Sequence, residues 1–181
     1  AEVLDLKFHA WDPKQYDVDT SAFVSGLTFT LDGVGADQDF VVILKLADPN
    51  DPGNILTTRA VVVGSDDIYR QADAIPDGFA APALDNDDGF VIIEANDYLQ
   101  SGESYVIVGA QVMSSTGGLT GSGIDLNGAT GDAGASSGTA GFGAETNDSD
   151  VVTISDIGLI RTVISQQTVS LDIDITVTDA D

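Results

Sequence analysis

The segment Thr168 to Thr178, reading T-V-S-L-D-I-D-I-T-V-T, constrains the fold more than any other part of the chain. Val169, Leu171, Ile173, Ile175 and Val177 alternate without a fault with Ser170, Asp172, Asp174 and Thr176. Successive side chains of a strand point to opposite faces, so the segment predicts a ribbon with one apolar and one acidic face. Such a ribbon must lay its apolar face on a second sheet, and the rest of the chain has to supply that sheet.

It offers several candidates. Val3 to Phe8 alternates as a short strand, and Phe23 to Leu31 places Phe23, Leu27, Phe29 and Leu31 on one face. Phe40 to Leu46 is nearly all apolar and predicts a strand buried on both faces. Asp48 to Gly53, with Pro49 and Pro52, reads as the turn that stops it. Ile55 to Val63 is β-branched and predicts the next strand. Asp66 to Ala74 suits a short helix capped by Ser65, inside a long connection that runs to Asp88. Phe90 to Glu94 and Tyr105 to Met113 are strands again, joined across Ser101-Gly102. Val151 to Ile154 and Ile157 to Ile164 precede the final ribbon.

Residues 114–150 break the pattern. They hold half of the 20 glycines, with Leu119, Ile124, Leu126 and Phe142 as their large apolar residues. Loops beyond about 12–15 residues are uncommon in compact domains. The segment therefore reads either as a mobile surface excursion or as cover for a glycine-tolerant strand near Leu119 to Leu126. Eight or nine strands with almost no helix predict an all-β fold, a two-sheet antiparallel sandwich. The long connections favour a single jelly roll over a meander. Residues 1–181 read as one domain with the glycine-rich excursion at about 114–150.

Charge narrows the setting. The chain carries 30 Asp+Glu against 6 Lys+Arg, a net charge of −24. Patterned apolar content argues against a disordered acidic chain. A calcium-loaded secreted module and adaptation to molar salt are the competing explanations, and the second is preferred because a short screening length makes dense carboxylate tolerable. Six scattered cations argue against direct nucleic-acid binding, which needs clustered Lys and Arg. There is no cysteine, hence neither disulfide nor thiolate metal site. No apolar run approaches the roughly 18–20 residues that span a bilayer as a helix. Ala1-Glu2-Val3-Leu4-Asp5 resembles no signal peptide and suits removal of an initiator Met, with a cleaved leader as the alternative.

Catalytic patterns are not recognisable. His9 is the one histidine, and Ser122 in T-G-S-G-I lacks the outer glycines of a nucleophile elbow. Glu94, Glu103 and Glu145 have no flanking motif that would select a glycosidase pair. Zinc is disfavoured, and the expected catalytic, cofactor and metal residues are none. The one cation candidate is the loop with Asp85, Asp87 and Asp88, whose spacing fails the EF-hand pattern and whose plainer reading is a solvated acidic turn. One Trp and four Tyr make a poor sugar-binding platform. Asn147-Asp148-Ser149 matches a glycosylation sequon.

A short, cysteine-free, extremely acidic all-β chain opening A-E-V-L-D-L-K-F-H resembles one family. It is similar to the smaller major capsid protein of tailless icosahedral haloarchaeal viruses that have an internal membrane. The resemblance implies a non-enzymatic shell protein built on a single vertical jelly roll, made in the host cytoplasm and located in the virion. Its implied partners are copies of itself and a second, larger jelly-roll capsid protein, with contact to the internal membrane or membrane-associated proteins. It carries no residue-level site. The alternative is a β-sandwich binding or adhesin module of a secreted or surface protein from a halophile, with an acidic glycosidase third.

Overall fold

The structure is a computed structural model, and it describes residues 2–8, 23–35, 38–80, 82–114, 121–126, 138–141 and 153–161. Nine strands occur among these: β1 (Glu2–Lys7), β2 (Gly26–Asp32), β3 (Phe40–Asp48), β4 (Asp51–Val63), β5 (Gly89–Ile93), β6 (Val106–Ser114), β7 (Ser122–Asp125), β8 (Thr139–Gly141) and β9 (Thr153–Ile160). One short helix, α1 (Ala95–Tyr98), and one 3₁₀ turn (Ser65–Asp67) complete the described elements. The strands form two sheets, in the orders β1-β6-β3-β4-β7-β8 and β5-β2-β9. All pairings are antiparallel except β4 with β7, which is parallel. The expected all-β, two-sheet sandwich is therefore present.

The core follows from alternation. On β3, Phe40, Val42, Leu44 and Leu46 form one row, each at most 1% exposed. Leu27, Phe29 and Leu31 of β2 form the facing row at 0%. The rings of Phe29 and Phe40 meet edge to face across the two sheets, centroids 6.5 Å apart at 87°. Each such side chain stabilises by roughly 1.5–3 kcal/mol on burial. The second row of β3 is less covered: Val41 is buried, whereas Ile43 and Lys45 are half-buried. The strand is thus dry on the inner face and only partly covered on the outer one. Lys45 there pairs with Asp5 of β1 across the intervening β6.

Several expected boundaries shift. The turn after β3 is only Pro49-Asn50, and β4 already begins at Asp51. Asp48 pairs with Asp51 and Ala47 with Ile55, so Pro52, Gly53 and Asn54 bulge out of the ladder. A bulge asks no hydrogen bond of proline, which is why Pro52 does not end the strand. The helix expected over Asp66 to Ala74 is a single 3₁₀ turn whose cap is Gly64, not Ser65. Ile68 is pulled into the core and Tyr69 bridges Phe90 in β geometry, and this packing overrides helical propensity. β5 and β6 lie in different sheets rather than forming a hairpin. α1 fills their connection, and the buried Tyr98 hydroxyl donates to the Ser25 carbonyl at 3.1 Å. The strand expected near Leu119 to Leu126 is β7, and residues 139–141 add β8. The two apolar stretches near the end merge into β9, with a register shift opposite Thr30/Leu31. His9, Trp11, Glu145, Asn147 and the ribbon at 168–178 lie outside the described residues.

The path also fixes chain direction. Glu2 opens β1 opposite Ser114, at the finish of β6. Ile160 closes β9 beside Ser25, and the neighbouring Val24 bridges Ile107, at the start of β6. Seven residue steps along β6 separate those levels, roughly 23 Å at about 3.3 Å per residue. β1 therefore begins at one end of the sandwich and β9 finishes at the other.

Candidate interaction surface

No expected chemistry converges among the described residues. No three His, Cys, Asp or Glu side chains are grouped there to hold a metal ion. In the Asp85 to Asp88 turn the carboxylates serve the backbone: the Asp85 amide donates to Asp88 Oδ2 at 2.9 Å and the Asp87 amide to Asp85 Oδ1 at 3.2 Å. The Asp85 carboxylate beside it pushes the Asp87 carboxyl up. Ser122 is an exposed residue of β7 opposite Gly141. Of the described aromatics, Phe8, Phe29, Phe40, Phe90 and Tyr98 are buried, whereas Phe23, Tyr69, Phe79 and Tyr105 are half-buried. A groove of about 360 Å³ lies on the outer face of the smaller sheet, floored by Thr28, Thr30 and Asp156 and walled by Phe79 and Pro82.

The feature the fold does build is an arm. Among the described residues, β4 has only β3 beside it from Asp51 to Ala60, because β7 joins it at Val61 and Val62. Among the described residues, no strand pairs with its other backbone edge over this stretch. Ile55 and Leu56, adjacent and so pointing to opposite faces, are 51% and 53% exposed. At the tip, Asp48 Oδ1 accepts from both the backbone amide and the side-chain amide of Asn50, at 2.8 and 2.9 Å. That closes the two-residue turn with the side chain best suited to it.

A brace holds the root of the arm. Arg59 shares the inner row of β4 with Val61 and Val63, and its guanidinium grips Glu103 in two parallel bonds of 2.7 Å. The same guanidinium donates to the Tyr98 carbonyl at the end of α1. Glu103 Oε2 in turn accepts from the Gln100 amide at 2.8 Å. The hydrogen bonds from Arg59 hold the Glu103 carboxyl below its ordinary range. A paired bidentate geometry is the strong form of this contact. It is also the reverse of a poised general acid, which needs a raised pKa. Sequence reading missed this pair because 44 residues separate its members. The available signal was parity: Arg59 stands in the row of Val61 and Val63, where a cation needs a buried partner.

A second charged cluster sits where β4 leaves the sheet. The Gly64 amide donates to Asp67 Oδ2 at 2.7 Å. Burial pushes the Asp67 carboxyl up to about 6, against that hydrogen bond, and the neighbouring Asp66 and Asp125 add to the rise. The cluster has a structural use, capping the 3₁₀ turn.

Comparison with known proteins finds no matching family model, no matching curated protein and no matching solved structure.

Proposed function

We propose that this chain is a non-enzymatic structural β-sandwich, a module of an extended surface or adhesive protein working in salt-rich surroundings. The observation that carries the reading is the partition of the strands between the two sheets. β2 pairs with β5 in one sheet, and β3 sits between β4 and β6 in the other. That partition follows an immunoglobulin-type sandwich more closely than a jelly roll, and many cell-surface domains share this architecture. It differs in its outer strands: β1 takes the place beside β6 and β9 the place beside β2. The net charge of −24 suits an environment where counterions screen dense carboxylate.

Light scattering with small-angle scattering in molar KCl tests this. A compact monomer at high protein concentration is the expected result. Closed particles, or discrete oligomers formed alone or with a second β protein, would overturn it and favour a capsid shell.

The shell reading has one observation of its own. The braced arm carries Ile55 and Leu56 into solvent beside a strand edge that no described strand pairs, and shells are tiled through such edges. Contacts of that kind need on the order of 1,000 Å² or more of buried surface to be stable.

A further inference from the structure

The groove on the outer face of β2 and β9 has a shaped floor. Thr28 and Thr30 stand two residues apart on β2, roughly 6.6 Å along the strand at about 3.3 Å per residue. Asp156 of β9 pairs with Thr30, and Gly158 pairs with Thr28. Gly158 leaves the fourth corner of this square without a side chain, and none fits there. A Cβ at 158 would lie 2.1 Å from Thr28 Oγ1. Glycine inside a strand often marks a close approach of this kind. The floor is therefore a pit ringed by two hydroxyls and one carboxylate, closed on the β5 side by Phe90, the other partner of Thr30.

The wall is held by its own turn. The Phe79 amide donates to the Pro76 carbonyl at 3.4 Å, and Gly78 between them has a φ of 100°. A β-turn with positive φ at its third residue favours glycine there. This turn sets half-buried Phe79 at the rim of the groove, with Pro82 beside it. Gly78, Phe79 and Pro82 also border a second hollow of about 420 Å³, which Gln71, Asp73 and Asp77 line. Two hollows thus share one aromatic partition, each within the roughly 300–1,000 Å³ common for ligand sites.

We propose that the groove binds one ring of a neutral saccharide, whose chain continues past Phe79 into the second hollow. The assignment rests on the surface-module reading and names its ligand. A sugar ring carries hydroxyls around its edge and C–H groups on its faces. The edge suits the floor: the Thr28 and Thr30 hydroxyls donate and accept, and the Asp156 carboxylate accepts from two neighbouring hydroxyls. The C–H face suits Phe79, whose ring face is negative. One ring needs one aromatic wall, not the extended platform that one Trp and four Tyr fail to make. An ammonium group also fits a carboxylate beside an aromatic ring, but molar salt screens such a surface pair and both threonines stay idle. One carboxylate lines the groove, whereas glycoside hydrolysis takes two, so the sugar is held and not cut.

NMR titration of the whole isotope-labelled chain in molar KCl tests this. The probes are the trisaccharides of glucose, galactose, mannose and N-acetylglucosamine, with acetyl-lysine amide as the cationic control. At least one sugar should bind with a Kd on the order of 1 mM or tighter, shifting the amides of Thr28, Thr30, Phe79 and Asp156. Phe79→Ala should weaken it about 10-fold and Thr30→Val about 5-fold, each with an unchanged circular dichroism spectrum. Should Phe79→Ala fail to fold, Thr30→Val decides. No shift with any of the four sugars would overturn the proposal, as would sugar binding that maps elsewhere or survives the variants intact. Binding of the lysine probe alone, fading as salt rises, would overturn it in favour of a cation site. Light scattering on the same samples keeps the two readings apart. A monomer that binds no sugar refutes the groove alone, and closed particles that bind sugar refute the module alone.

Discussion

β4 contains two regions that share one backbone ladder and little else. From Val61 to Val63 it lies under the smaller sheet, with Val61 and Val63 at 0% exposure. From Asp51 to Leu56 it runs bare, with Ile55 and Leu56 more than half exposed. Both halves hydrogen-bond to β3, so pairing on one edge is sufficient to shape a strand. It does not bury one. Coverage comes from the facing sheet, and where that sheet stops the same strand changes from core to surface. Arg59 stands at the border, where its ion pair fixes the bare half to the covered one.

The sharpest way to break this contrast is to remove the same side chain from each region. Leu44→Ala, in the covered row, is expected to cost about 3–5 kcal/mol and lower Tm by roughly 10 °C. Leu56→Ala on the arm should stay within about 0.5 kcal/mol. Thermal unfolding followed by circular dichroism reads both, and equal effects would show that the arm is as covered as the core.

The next effect should come from the border. Arg59→Ala leaves Glu103 and the Tyr98 carbonyl without their shared donor, and Tm should fall by roughly 5 °C. Faster amide exchange from Thr57 to Ala60 should accompany it. Since the Glu103 carboxyl is held low in the folded state, its contribution is present at neutral pH and lost as pH falls through that lowered value. Arg59→Ala should therefore flatten the acid limb of stability against pH.

Asp67 should act with the opposite sign. Its folded pKa of about 6 stands above the ordinary 3.8, so ionising it opposes the fold. Stability from this group is full below pH 4 and declines as pH rises to about 6. For a half-exposed carboxyl, screened by water, that decline amounts to roughly 1 kcal/mol. Asp67→Asn keeps an acceptor for the Gly64 amide and should raise Tm at pH 7 by roughly 2–4 °C, with no change at pH 4.

The smallest effect on stability belongs to the arm itself. Ile55→Asp with Leu56→Asp should leave Tm nearly unchanged. If the chain self-associates in molar salt, light scattering should show that association lost, which separates a surface role from a packing one.

The covered region was legible in the sequence because burial on both sides of a sheet writes itself as an apolar run, as in Phe40 to Leu46. Half-covered strands write alternation, as in Phe23 to Leu31. The misreadings fall where tertiary contacts overrule local preference. Pro52 and Gly53 look like a stop but sit in a bulge, and Asp66 to Ala74 looks helical although Ile68 is claimed by the core. β7 and β8 are short, glycine-rich and weakly patterned, since a strand at the rim of a sheet has little to bury. The Arg59–Glu103 brace joins residues far apart in sequence, so no local period announces it. Chemistry expected to be missing at His9 and Glu145 lies outside the described residues.

The place of β2 between β5 and β9 has a kinetic consequence. Phe29 pairs with Val91 on one side and with Ile157 on the other, 128 residues further along the chain. At synthesis rates of about 5–20 residues per second, β2 must wait roughly 6–26 s for that second neighbour to be made. Until then the row Leu27, Phe29 and Leu31 belongs to an unfinished sheet, the kind of exposed edge on which nascent chains stick together. Non-local pairing of this type also folds slowly once the chain is complete. The dense negative charge then acts in time as well as in space, because nascent chains that repel one another survive the wait.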